Sequence, residues 1–395
     1  MKRSNKLMPL LGSLVSASLL LAACAPAATP APTAVPATVA PTAMPTVEIK
    51  IAFYGPLTGQ AASPGQEQLA LARIAVSDFN KGMAGYHATL VEEDTDITAD
   101  KAVPVCTKDA ADNTIVAVVG PSGSGQVKAC AQILEAAGLA HVSGSATNPS
   151  LSTAGNKTFF RVVPNDDVQG LTDANYIAGT LKAKNVWVLD DTEAYGTTLA
   201  DTVDKNLKAK GVTTQRDSVK QTDSDFSSLV TKIKTFKPDV VFFAGQVSSQ
   251  GAVMAKNLKD QGLTVPVFGG DGFYSQKDYI DNAGGATDAS FASVFFPDVS
   301  GKPEAADVVK QANAAFPSWG NFGAATYVAT KVVLDAAVAA SKAGKLDRGG
   351  VTAALAKTDQ TVLGVPIKFD ATGEVSGASF VVSQVKGGKF VQVFP

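Results

Sequence analysis

Between Ile115 and Pro149 the chain carries the same pattern twice. An apolar, β-branched run, Ile115-Val116-Ala117-Val118-Val119, stops at Gly120-Pro121-Ser122-Gly123-Ser124-Gly125. After a helical interval, Leu139-Ala140-His141-Val142 stops at Ser143-Gly144-Ser145-Ala146-Thr147-Asn148-Pro149. A short apolar run that ends in glycine and serine and then enters a helix reads as a buried parallel strand delivering a loop from its carboxyl end. In open α/β sheets such loops line the ligand crevice. Glycines let the backbone come close, hydroxyls donate, and the N–H groups opening the next helix favour an anion. The stretch therefore predicts a cradle for a carboxylate or phosphate, with a tight turn that holds no ligand as the alternative.

Several chemistries are excluded by what the chain lacks. A phosphate-binding P-loop needs Lys where Gln126 stands. There is no Gly-x-Ser-x-Gly elbow here, and only two histidines, His87 and His141, are available as bases. His141 opens an apolar strand and reads as a core or edge residue. Three cysteines and two well-separated histidines give no metal-ligand spacing, so neither a metal nor a cofactor is expected. Net charge is −2 with the signs mixed, which argues against nucleic acid. A length of 395 residues allows two domains with full cores.

Residues 1–23 open with Lys2, Arg3 and Lys6 and continue as an apolar run of small residues, the pattern of a secretory signal. Its end, Leu21-Ala22-Ala23-Cys24, looks like the bacterial lipobox, which makes Cys24 the expected site of lipidation and anchoring to a membrane. Residues 24–46 are rich in Ala, Pro and Thr and read as an extended tether. From Val47 onward strand and helix patterns alternate with short loops. Strands are expected near 47–54, 88–91, 115–119, 139–142 and 159–164, with helices near 66–80 and 99–112. A second series has strands near 186–189, 212–219, 240–243 and 265–268, separated by helices near 167–182, 197–210, 226–236 and 249–261. A strand at 291–296, helices near 304–316 and 323–343, and strands near 365–369, 378–385 and 390–393 close the chain. The fold class is α/β, two doubly wound arrays. Asp190 and Asp191 are adjacent strand-end residues pointing to opposite faces, so they read as a solvated loop.

The ordered set IAFYGPLTG at 51–59, VVGPSGSG, SGSATNP, FFRVVPND, the segment 190–196, DFSSLVTKIK at 225–234 and FGGDGFYS at 268–275 resembles the leucine/isoleucine/valine-binding proteins. These are substrate-binding components of branched-chain amino acid ABC transporters, with the type I periplasmic-binding-protein fold. The resemblance implies two Rossmann-like lobes, 47–164 plus 296–376 and 165–295 plus 377–395, joined by a three-crossing hinge near 164, 295 and 376. It implies an amino acid ligand, ABC permease subunits as partners, a monomer, an extracytoplasmic place in the cell envelope, and no enzymatic activity. A ligand-sensing role beside a receptor is the alternative.

By the same resemblance Ser124 binds the ligand's α-carboxylate, with Ser145, Ala146 and Thr147 following on the next loop and Thr147 the stronger candidate. Asp271 pairs with the α-ammonium, Tyr195 closes from the second lobe, and Phe322 supplies an aromatic near the last hinge. A zwitterion taken out of water needs each charge met, which agrees with that division of labour. Asp271 as a simple loop cap and Tyr195 as a plain aromatic at the start of a helix are the competing readings. Two departures stand out: Pro64 where an aromatic is common, and Gln246 where a second-lobe tyrosine is common. They make a polar amino acid or a small amide a credible ligand. Cys106 and Cys130 sit on helices flanking one strand, where a disulfide is expected in an exported protein, or else two small buried hydrophobes.

Overall fold

The computed structural model describes residues 46–395. The leader, Cys24 and nearly all of the tether lie outside the described residues. In chain order the first series is β1 (Val47–Gly55), α1 (Ala62–Gly82), β2 (Tyr86–Asp94), α2 (Ala99–Ala111), β3 (Ile115–Val119), α3 (Ser124–Ala136), β4 (Ala140–Ser143), α4 (Ser150–Thr153) and β5 (Phe159–Arg161). The second is α5 (Asp166–Asn175), β6 (Asn185–Asp190), α6 (Ala194–Ala209), β7 (Thr213–Ser218), α7 (Ser227–Phe236), β8 (Val240–Ala244), α8 (Ser248–Asp260), β9 (Val267–Gly269) and β10 (Phe291–Val294). There follow α9 (Ala306–Ala315), α10 (Asn321–Lys342), α11 (Arg348–Leu355), β11 (Asp359–Val362), β12 (Val365–Lys368), β13 (Val381–Lys386) and β14 (Lys389–Phe394).

The first five strands form one parallel sheet in the order β2-β1-β3-β4-β5. The second sheet runs β14-β13-β10-β9-β8-β6-β7, with β13 and β14 antiparallel additions to a parallel set. In each sheet the order reverses once, between β1 and β3 and between β6 and β8. At such a reversal the crossover helices go to opposite faces and leave a crevice at the strands' carboxyl ends. β3 and β8 are buried along their whole length because helices cover both faces, which is why they read as continuous apolar runs.

The first core gathers α1 and α10 against β1 and β4. α10 is apolar and long enough by composition to cross a membrane, yet 78% of its most apolar window is buried inside the fold, so it is a core helix. Gly320, at its start, has no side chain to cap it; instead the Glu67 carboxylate on α1 accepts from Gly320 N–H at 2.9 Å and Gly323 N–H at 2.5 Å. The second sheet has Phe243, Phe226 and Phe273 on one face and Phe242, Phe268 and Tyr176 on the other. A disulfide joins Cys106 on α2 to Cys130 on α3, Cα–Cα 5.9 Å, beneath the first sheet.

Several elements depart from the sequence-based expectation. β5 stops at Arg161 rather than 164, because the chain turns there toward the second sheet and Pro164 cannot donate to a ladder. β13 begins at Val381, not 378. α11 was hidden by Gly349 and Gly350; it forms because Asp347 Oδ1 accepts from Gly350 N–H at 2.7 Å. β11 escaped notice as a polar edge strand. It pairs with β12 across Leu363 and Gly364, whose φ angles of 52° and 70° are those of a tight hairpin turn.

Candidate functional site

The carboxyl ends of β1, β3 and β4 meet those of β6, β8 and β9 around a narrow cleft of about 40 Å³. That is room for a few waters, so the lobes stand close together. Ser124, Ser145, Tyr195, Gln246, Asp271 and Phe322 all line it. Ala146 and Thr147 do not. Thr147 is fully buried near Asp166, and its hydroxyl has no hydrogen-bond partner among the described residues. A wider hollow of about 360 Å³ among Trp319, Asn321 and Phe390 contains none of the six.

On the first lobe, the loop after β3 needs glycine at position 120: φ is +108°, and a Cβ there would lie 2.4 Å from the Tyr54 carbonyl. Gln126, standing where a P-loop would carry Lys, is a buried tie. Its Oε1 accepts from Gly123 N–H at 2.9 Å, while Nε2 donates to the Thr95 and Asp96 carbonyls at 2.9 and 2.8 Å. Ser124 opens α3, where the first N–H groups have no partner within the helix. Its hydroxyl oxygen accepts from Asn148 N–H at 3.2 Å, leaving its proton to donate. The Ser145 hydroxyl is engaged: it donates to the Ser122 carbonyl at 2.8 Å and accepts from Gln68 Nε2 at 3.1 Å. Ser122 closes the ring by donating to Gln68 Oε1 at 2.7 Å.

On the second lobe, Asp271 Oδ1 accepts from the Tyr195 hydroxyl at 2.6 Å and from Gln169 Nε2 at 2.8 Å. Burial pushes the Asp271 carboxyl up to about 6, against the two hydrogen bonds, so it is ionised at neutral pH. Asp271 is the sole charged side chain lining the cleft among the described residues. Tyr195 therefore braces the acid from one side as well as facing the cavity.

Asp190 and Asp191 are not solvated. Asp191 is wholly buried and ties the loop after β6 to the loop after β8: Oδ2 accepts from Gln246 N–H at 2.9 Å and Oδ1 from Glu193 N–H at 3.0 Å. Asp190 pairs with Arg216 at 2.8 Å. The expectation failed because the chain folds back over both faces of the strand end, so opposite directions both lead inward. His141 is a buried core residue whose ring is held neutral, its pKa lowered to about 4 by burial.

A profile of the periplasmic binding protein family matches residues 48–389. The chain belongs to that family. A Leu/Ile/Val-binding protein, BraC3, of Rhizobium johnstonii is 31% identical over 355 residues, 87% of this chain and 93% of the relative. A leucine-, isoleucine-, valine-, threonine- and alanine-binding protein of Pseudomonas aeruginosa is 31% identical over 341 residues, 85% of this chain and 89% of the relative. Among solved structures, a leucine binding protein from Thermotoga maritima superposes with a TM-score of 0.80 at 24% identity, covering 87% of this chain and 97% of that one.

The polar loops of this periplasmic binding protein are held by residues that no motif announced. Arg161, fully buried, forms a two-pronged ion pair with Glu374 and donates from Nη1 to the carbonyls of Ala146 and Asn148 at 3.0 and 2.9 Å. It fixes the loop after β4 from behind. Asn148 reaches across the cleft: Nδ2 donates to the Ala194 carbonyl at 2.7 Å and to Thr198 Oγ1 at 2.8 Å. Gln68 and Gln169 lie on helices whose apolar pattern made them look like ordinary polar residues. An arginine inside the apolar run FFRVV was the one legible signal, because a lone cation in a buried strand requires a partner.

Proposed function

We propose that this chain captures a zwitterionic amino acid with an apolar side chain and delivers it to an ABC permease. The observation that carries the reading is the arrangement of charge. One carboxylate, Asp271, comes from the second lobe, and the Ser124 hydroxyl at the start of α3 comes from the first. Pro56, Ala61, Pro64, Ile97 and Phe322 supply apolar wall, and no Lys or Arg lines the cleft among the described residues. A phosphate or dicarboxylate would bring uncompensated negative charge to Asp271, whereas an α-ammonium answers it and an α-carboxylate suits hydroxyl and helix-terminal N–H donors. Leu/Ile/Val-binding relatives support the apolar side chain, and each buried methylene adds about 0.8 kcal/mol.

In this reading the lobes are 47–164 plus 296–376 and 165–295 plus 377–395, with crossings near 164, 295 and 376. Ligand charges met from both lobes favour the closed arrangement, so binding shifts a hinge equilibrium. Cys24 carries lipid and anchors the chain outside the cytoplasmic membrane, and the bound solute is passed on unchanged. A second reading is favoured by Gln246, whose Oε1 would lie 3.1 Å from a Cβ on Gly123. A carboxamide that close to the opposite lobe suits a polar amino acid or small amide. Calorimetric titration of ligand-stripped protein against leucine, isoleucine, valine, threonine, glutamine and acetamide decides the matter. Tight binding of an aliphatic amino acid, lost in Asp271→Ala, is the expected result; binding only of ligands without an ammonium group refutes it.

A further inference from the structure

The two oxygens of Asp271 are in different situations. Oδ1 takes both the Tyr195 and the Gln169 donors. Apart from its own amide, no protein donor among the described residues reaches Oδ2, and Asp271 lines the cleft. Gln169 does not line it. It is fully buried on α5, and its Nε2 also donates to Ser293 Oγ at 2.8 Å, which donates in turn to Asp173 Oδ2 at 3.2 Å. These acceptors decide the orientation of the carboxamide, since the reverse would set its oxygen against a carboxylate. The loop is pressed onto the donors as well: a Cβ on Gly270 would lie 2.2 Å from Tyr195 Oη and 3.3 Å from Gln169 Nε2.

The ionisable groups that face Asp271 are Asp166 and Asp173 from α5 and Tyr195 from α6. Burial pushes all three well above their ordinary pKa values, toward their neutral forms. Arg161 faces Asp166 but is paired with Glu374. Among the described residues no Lys, Arg or His side chain reaches Asp271, and its side-chain donors are the Tyr195 hydroxyl and the Gln169 carboxamide. Of these, Tyr195 touches the cleft and Gln169 does not.

We infer that Gln169 is a positioning residue: it keeps Asp271 ionised and its Oδ2 turned to the cleft, so selectivity for an ammonium group depends on a side chain that never meets the ligand. This rests on the reading of Asp271 as the ammonium's partner.

The test uses full-length protein, stripped of ligand, as wild type, Gln169→Met and Gln169→Leu. Two measurements are made: the carboxyl titration of Asp271 by carbon NMR, assigned with Asp271→Asn, and the pH profile of binding for leucine and for its amine-free analogue 4-methylpentanoate. Without the Gln169 donor the Asp271 midpoint moves upward by about one pH unit or more, and leucine binding at pH 7 weakens by roughly tenfold to a hundredfold, the range for one hydrogen bond to a charged group. The pH below which leucine affinity falls moves up with it, whereas 4-methylpentanoate, which offers Asp271 no cation, loses no affinity. Gln169→Met conserves length, so it separates loss of the donor from loss of packing. An unchanged Asp271 midpoint in a folded variant overturns the inference whatever the ligand does. Equal affinity of wild type for leucine and 4-methylpentanoate would instead refute the role of Asp271, and the NMR midpoint would still judge Gln169.

Discussion

Asp271→Asn removes one charge at almost constant volume, and the new amide oxygen can still accept from Tyr195 and Gln169. A folded-state pKa raised above the ordinary 3.8 means that the fold prefers the protonated acid. That contribution to stability is complete below 3.8 and is lost as pH rises through about 6. Two units at about 1.4 kcal/mol each put the burden of the ionised carboxylate on the ligand-free protein near 3 kcal/mol at pH 7. Asparagine has no such burden. With about 350 ordered residues and roughly 2.1 cal/mol/K of unfolding entropy per residue, the variant should melt about 4 °C above wild type at pH 7. At pH 5 the gap should be about half as large, because wild type is then mostly protonated. The assay is thermal unfolding of both proteins, ligand-stripped by unfolding and refolding, at the two pH values, with calorimetric titration of leucine alongside. The expected outcome is a more stable protein that binds at least a hundredfold more weakly, since an ammonium left unpaired in a closed cleft costs about 3–5 kcal/mol. A variant less stable than wild type at pH 7, or a gap that does not shrink at pH 5, would refute the reasoning.

Arg161→Met strands Glu374 and releases the carbonyls of Ala146 and Asn148; a loss of about 3–5 kcal/mol is expected in urea unfolding, with weaker ligand binding as the loop loosens. Asn148→Ala deletes both donors to Ala194 and Thr198, so the open arrangement gains weight: small-angle scattering of ligand-free protein should show a larger radius, and affinity should drop about five- to thirtyfold. Reduction of Cys106–Cys130, which are 24 residues apart, should lower stability by about 3 kcal/mol, read as a shift of the denaturant midpoint with unchanged ligand affinity.

Much of the architecture could be read from the chain before any coordinates. β3 and β8 announce themselves because burial on both faces demands apolar residues at every position, and the loops behind them because close backbone approach demands Gly and Ser. Ser124 and Asp271 were legible as members of a recognisable set of loop motifs. Thr147 was placed by the same route, but a hydroxyl at the right place in the loop does not say which way the loop turns it: here Thr147 is buried beside the cleft's lining rather than in it, with its hydroxyl unpartnered among the described residues. The Asp190–Asp191 pair was misread because strand alternation describes direction, not depth.

Local chemistry written in the sequence determined the strand and helix series and the residue types gathered at the rim of the crevice. Only the tertiary structure decided how that rim works. It assigned Gln169 to Asp271, Gln68 to Ser145, Glu67 to the start of α10 and Arg161 to Glu374 across 213 residues of chain. Such pairings leave no periodic trace, because a buried polar group needs one partner at hydrogen-bond distance, and the chain can bring that partner from anywhere in its length.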